Sequence, residues 1–167
     1  MHFLKRLESL CNEILKYDIS VLTTYPEIDN QSILDLESKL KYQLPGDFKQ
    51  FLTMINGFEL VGDIIYGIHN DPQMGLYNNY IWEFKESGNP IYSYLLPLTP
   101  NGRGDHYCLD LNSLSEDATR CEVVFWQHDY EYSDGDTPDK ESSSFTDYLE
   151  ELIMDVGENY NYDGSDK

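Results

Sequence analysis

A chain of 167 residues, 40% hydrophobic and 14% aromatic, carries enough apolar side chain for one packed domain and is not a disordered polymer. Eleven Lys and Arg stand against 31 Asp and Glu, a formal net charge of −20, which disfavours direct contact with nucleic acid or anionic lipid. No stretch approaches the ~18 uninterrupted apolar residues of a membrane span, and Lys5 and Arg6 beside Glu8 do not resemble a signal peptide, so a cytoplasmic protein is expected.

Phe3, Leu4, Leu7, Leu10, Cys11, Ile14 and Leu15 recur at helical spacing and predict an amphipathic helix over 3–17. Ser32 is expected to cap a second helix running through Leu40. Pro45 suits the opening of a third, which buries Phe48, Phe51, Leu52 and Ile55. Asn56-Gly57 is expected to close it, with Gly57 left-handed.

From Leu60 the period shifts toward two. Strands are expected at Asp63–Gly67, Ile81–Phe84, Ser93–Leu98 and His106–Leu111. Glu122–His128 is apolar on both faces, as a covered central strand is. Asp129–Glu141 reads as an acidic loop, and Ser143 or Ser144 opens a helix carrying Phe145, Tyr148, Leu149, Leu152 and Ile153. The polar residues 158–167 are expected to fray.

Amino-terminal helices, a mainly antiparallel sheet and a carboxy-terminal helix packed on it make an α+β fold, one domain over 1–157. Leu44, Phe48, Phe51, Leu52, Tyr107, Leu109, Phe125, Trp126, Phe145 and Leu149 are expected to share one core.

The charge is uneven: residues 61–167 hold 22 of the 31 acids and 5 of the 11 bases. Such a field draws in a basic protein partner; it also serves plain solubility. His106 and Cys108 share a strand face, as a thiol–imidazole pair would, or as ordinary packing residues do. His128, Asp129, Glu131, Asp134 and Asp136 have oxygen-rich ligand character, but Tyr130 and Tyr132 fall where a calcium loop needs carboxylates. Asn159, Asn161, Asp163 and Gly164 form a second partial match that ends before its bidentate glutamate. Cys11, Cys108 and Cys121 lack C-x-x-C spacing, so neither a disulfide framework nor a zinc site is indicated. Gly102-Arg103-Gly104 reads as a turn rather than a phosphate cradle. Fourteen tyrosines exceed what such a core can hold, and Asp129-Tyr130-Glu131-Tyr132 joins stacking area to charge, as a protein interface does.

Leu36-Glu37, Leu40, Leu44-Pro45, Asp47-Phe48, Phe51-Leu52 and Asn56-Gly57 resemble the amino-terminal signature of the SUKH superfamily, which includes the Smi/Knr-type cell-wall regulators and many bacterial immunity proteins. Leu98 through Asn101-Gly102-Arg103-Gly104-Asp105 to Tyr107, Leu109 and Asp110 is similar to its glycine-rich turn and following strand. Val123 to Asp129, then Ser144-Phe145 through Tyr148-Leu149, resembles its last strand, acidic loop and closing helix. The three blocks cover about residues 33–153, in family order. Lys41 stands where a small residue is common and Phe58 where a second glycine is frequent; neither is expected to touch the core.

The resemblance implies an α+β domain with no catalytic residue; no metal or cofactor is expected. It implies an immunity protein that neutralises a cognate toxin domain, such as a nuclease encoded by a neighbouring gene, by non-catalytic occlusion. The alternative is a regulatory scaffold of cell-wall assembly with no toxin partner. The expected partner surface is Asp129, Tyr130, Glu131, Tyr132, Asp134, Asp136, Asp139 and Glu141, facing a basic toxin.

Overall fold

The structure, a computed structural model, describes residues 2–167; Met1, counted above in the 1–157 domain, lies outside the described residues. Helix α1 (His2–Ile14) turns Leu7, Cys11 and Ile14 inward, the stripe its spacing predicts. Strand β1 (Leu22–Thr24) follows. Helix α2 (Asn30–Leu40) is capped by Asp29 and not by Ser32. The Asp29 carboxylate accepts both the Ser32 N–H (2.9 Å) and hydroxyl (3.0 Å), and its charge complements the helix N-terminus. Lys41 forms the left-handed cap at φ 62°, the conformation that explains why a small residue is easier there.

Pro45 sits one position before helix α3 (Gly46–Met54), as its N-cap. Strands β2 (Phe58–Leu60) and β3 (Asp63–Ile65) complete a three-stranded antiparallel sheet in the order β1-β2-β3. Phe58, expected outside the core, is fully buried, with its ring 6.1 Å from Phe51. With Leu60 it is one of the two inward residues of β2, where a glycine would fill nothing.

Asn56-Gly57 does more than end a helix. Ile55 is the cap, in extended conformation, and the Asn56 side chain spans three segments. Its amide donates to the carbonyls of Pro26 (3.0 Å) and Ile68 (2.8 Å), and its oxygen accepts from Ile68 N–H (2.7 Å). Gly57 (φ 75°) lies so close to Gly67 that a Cβ would sit 2.7 Å from its nitrogen.

Residues 81–84, read above as a strand, are helical. Helix α4 (Leu76–Ile81) runs into one wide π turn, Trp82–Glu86. Tyr77, Tyr80, Ile81 and Phe84 follow helical spacing, and Tyr80 stacks on Phe84 at 5.5 Å, one turn apart.

A second antiparallel sheet follows in the order β4 (Leu95–Pro100), β5 (His106–Asp110), β6 (Val123–Trp126), β7 (Asp139–Ser142). Strand β7 takes the end of the expected acidic loop: Asp139 pairs with Phe125 and Lys140 with Val124. Asp-Lys-Glu-Ser has no strand propensity, so its pairing comes from the open edge of β6. Tyr66 N–H donates to the Leu98 carbonyl (2.9 Å), joining the two sheets.

The four-stranded sheet is covered on both faces. Leu96, Leu98, Leu109 and Val123 face the main core with Phe48, Phe51, Phe145 and Leu149. Leu95, Cys108, Val124 and Trp126 form a smaller core with Ile91, Tyr92, Tyr94 and Tyr132. Trp126 therefore does not share the core of Phe51, because residues one apart on a strand face opposite ways. Phe125 is half-buried, its ring 4.9 Å from Tyr107.

Helix α5 (Phe145–Asn159) is capped by Ser144, whose hydroxyl accepts Asp147 N–H (3.0 Å). It packs on α1, α3 and β7. Buried Asp47 at the start of α3 accepts the Thr146 N–H and hydroxyl, each at 3.1 Å. Arg6 of α1 pairs with Asp147 and Glu150 of α5.

Residues 158–167, expected to fray, fold back instead. Asp18 N–H donates to the Tyr162 carbonyl (2.8 Å), the Tyr162 hydroxyl donates to Glu13 (2.5 Å), and its ring meets Tyr17 edge-on at 5.1 Å. Two aromatic anchors, Tyr162 and the half-buried Tyr160 packed on the main core, hold a tail whose composition is otherwise polar.

Candidate partner-binding surface

The chain after β6 is pulled back onto its own sheet. Tyr132 stacks on Trp126 with ring centres 4.1 Å apart, and its hydroxyl accepts Gln127 N–H (3.0 Å). Tyr92 meets both rings edge-on. Two neighbours then hold the loop from its flanks. The Asn89 amide donates to the carbonyls of His128 (3.0 Å) and Tyr130 (2.9 Å). Asp105, from the glycine-rich turn, accepts His128 N–H (3.0 Å) and lies 2.8 Å from His128 Nδ1.

That turn has a clear purpose. The Asn101 side-chain oxygen accepts from Arg103 and Asp105 N–H (2.8 and 3.1 Å), and its amide donates to the Asp105 carboxylate (2.8 Å). Gly104 (φ 96°) leaves room for the His128 ring, 3.0 Å from where a Cβ would stand. The turn is a bracket for the acidic loop.

The structure divides the eight expected partner residues. Asp129, Tyr130 and Glu131 are exposed and line a cleft of about 450 Å³ with Glu83, Ser87, Gly88, Asn89 and His128. Tyr130 keeps 49% of its surface open. Tyr132, expected as a second anchor, is half-buried over Trp126 and holds the loop's shape. Asp134 is exposed, while Asp136 is half-buried and accepts Ser133 N–H (2.7 Å), closing a turn at Gly135 (φ 91°). Asp139 and Glu141 stand apart on β7. Glu141 lies toward Tyr107, whose phenol is raised by burial and by that nearby charge. Lys140, the one base among these carboxylates, pairs with Glu122 (3.0 Å).

The opposite wall of the cleft, not expected from the sequence, comes from the π turn, through Glu83; its neighbour Trp82 lies outside the cleft, beside Pro72, Gln73 and Tyr77. Trp82 is 56% exposed on the π turn, a distortion frequent at functional sites. Glu83, one residue on, is nearly buried. The spacing of Tyr77, Tyr80, Ile81 and Phe84 was the available signal; the short alternation over 81–84 hid it.

Behind the cleft, His106 Nε2 and the Tyr66 hydroxyl are 3.0 Å apart. Burial pushes the imidazole down to about 4, so the ring is neutral near pH 7. Its other nitrogen lies 3.8 Å from Glu83 Oε1, beyond a hydrogen bond. The thiol–imidazole pair weighed above does not form: the Cys108 thiol donates to the His106 carbonyl (3.8 Å) and is held protonated by complete burial. Among the described residues, one group brings three ligand atoms together, Asp105, His128 and Asp129, within 4.8 Å. The Asp105 carboxylate raises His128, so the pair is a charge-assisted strut between turn and loop. In the second partial calcium match, the Asp163 carboxylate accepts Ser165 N–H (2.9 Å) and hydroxyl (2.5 Å), closing a tight turn. No helix among the described residues is long and apolar enough to cross a membrane.

A family model described as SUKH_5, SMI1-KNR4 cell-wall, matches residues 7–154. A solved protein from Pseudomonas syringae pv. tomato is similar in fold, at 19% identity and a TM-score of 0.51, over 72% of this chain and 83% of that one. No curated protein matches the sequence.

Proposed function

Because the chain belongs to the SMI1-KNR4 family, we propose that it is a bacterial immunity protein that neutralises a cognate, basic toxin domain by covering it, without catalysis. The observation that carries this reading is the surface around the cleft. Exposed Asp129 and Glu131 flank exposed Tyr130 on one wall of it, and exposed Asp134 follows on the same loop.

Carboxylates at this density take the place of the phosphates that a nucleic-acid-cleaving toxin attracts, and they speed encounter with it. Aromatic side chains then supply the desolvated area that holds a complex together. The loop is braced by Asp105, Asn89 and Tyr132, so little conformational freedom is lost on binding.

Co-expression with the protein encoded by the adjacent gene tests the reading. The expected result is restored growth and a one-to-one complex that survives purification. Growth unharmed by the neighbour alone, with several weak partners captured in its place, would support a regulatory scaffold of cell-wall assembly instead.

A further inference from the structure

We propose that the cleft between Glu83–Asn89 and His128–Glu131 is a receptor for one arginine side chain of the protein partner, with the Glu83 carboxylate as its counter-ion. This rests on the reading of the chain as a binder of a basic protein, and it names the group that the cleft accepts.

The starting observation is a nearly buried carboxyl group without a hydrogen bond. Glu83 is 8% exposed, yet among the described residues its carboxylate receives no hydrogen bond. A basic nitrogen, His106 Nδ1, lies 3.8 Å away, beyond a hydrogen bond, and is itself buried without a partner. A buried, unpaired carboxylate is costly, and such orphans call for a reason. Its position supplies one, because Glu83 lines an open cleft and not a closed core.

The remaining walls fit the same ligand. Asp129 and Glu131 add acceptors at the rim, and Tyr130 offers an exposed ring. His128 also faces the cleft, but its ring is already engaged by Asp105 at 2.8 Å. A planar guanidinium can donate twice to one carboxylate and stack on a tyrosine in the same pose, which a lysine ammonium cannot.

N-acetyl-arginine methylamide, titrated at tens of millimolar into the isotope-labelled full chain, tests the assignment. Amide signals of Glu83, Asn89 and Tyr130 are expected to shift together and saturate. The matching lysine compound should bind several-fold more weakly. Glu83→Gln keeps the shape and removes the buried charge, so it should stay folded and lose about tenfold in arginine affinity. Tyr130→Ala, at an exposed site, should lose less. Unshifted cleft signals, or equal binding by Glu83→Gln, would overturn the proposal. Arginine binding without a neighbour-encoded partner would support the cleft and remove the toxin; capture of the toxin without arginine binding would do the reverse.

Discussion

Gly67→Ala is expected to prevent stable folding. A Cβ at Gly67 would stand 2.1 Å from the Asn56 carbonyl oxygen and 2.9 Å from its side-chain oxygen, and no rotamer relieves a clash of Cβ with backbone. The Asn56 carbonyl cannot retreat, because the same residue is tied to Pro26 and Ile68 by three hydrogen bonds. Gly67 is equally fixed, accepting Leu76 N–H (2.8 Å). Something in this knot must break, and the loss should exceed about 4 kcal/mol, the exceptional end of single substitutions. Urea unfolding of the variant checks it; a loss under about 1 kcal/mol would mean that the segments are not in contact.

Phe51→Ala should cost about 3–5 kcal/mol. Phe51 is fully buried, with ring centres 4.8 Å from Phe145, 6.0 Å from Phe48 and 6.1 Å from Phe58. These rings come from α3, α5 and β2, so truncation leaves a cavity that no single element can close. A denaturant titration showing a loss below 1 kcal/mol would place the ring outside the core.

The amino-terminal half was the more legible. Strong signals there are local: the Leu7, Cys11, Ile14 stripe, Pro45 before α3, and the aromatic spacing of Phe48 and Phe51. Asn56-Gly57 reads correctly as the end of α3 with a left-handed Gly57, but its contacts with Pro26, Ile68 and Gly67 are long-range and leave no trace in spacing. Strand β7 was hidden because backbone pairing, not side-chain propensity, makes it. The tail's polar composition hides its two anchors, Tyr160 packed on the main core and Tyr162 against α1 and the turn after it. Trp126 belongs to the smaller core, which the sequence cannot tell, since apolar residues on both faces of β6 do not say which layer covers which face.

Site legibility followed the same physics. Acid density marked the loop 129–141, but not that Tyr132 would turn inward onto Trp126, or that Asp139 and Glu141 would leave for an edge strand. Glu83 lies more than forty residues away in sequence. It reaches the cleft only through the π turn and the Asn89 bridge to His128 and Tyr130.

The central claim is that exposed carboxylates of this loop steer a basic protein onto the surface they surround. The direct measurement is the association rate with the neighbour-encoded toxin across a salt series, for the wild-type chain and for Asp129→Asn, Glu131→Gln, Asp134→Asn combined. All three side chains are exposed, so thermal stability should not change. Exposed charges act over about 8 Å at physiological ionic strength, so association by the triple variant should be several-fold slower at low salt and converge on wild type as salt rises. Equal rates and equal salt slopes for the two proteins would contradict the account and place the interface on another face of the molecule.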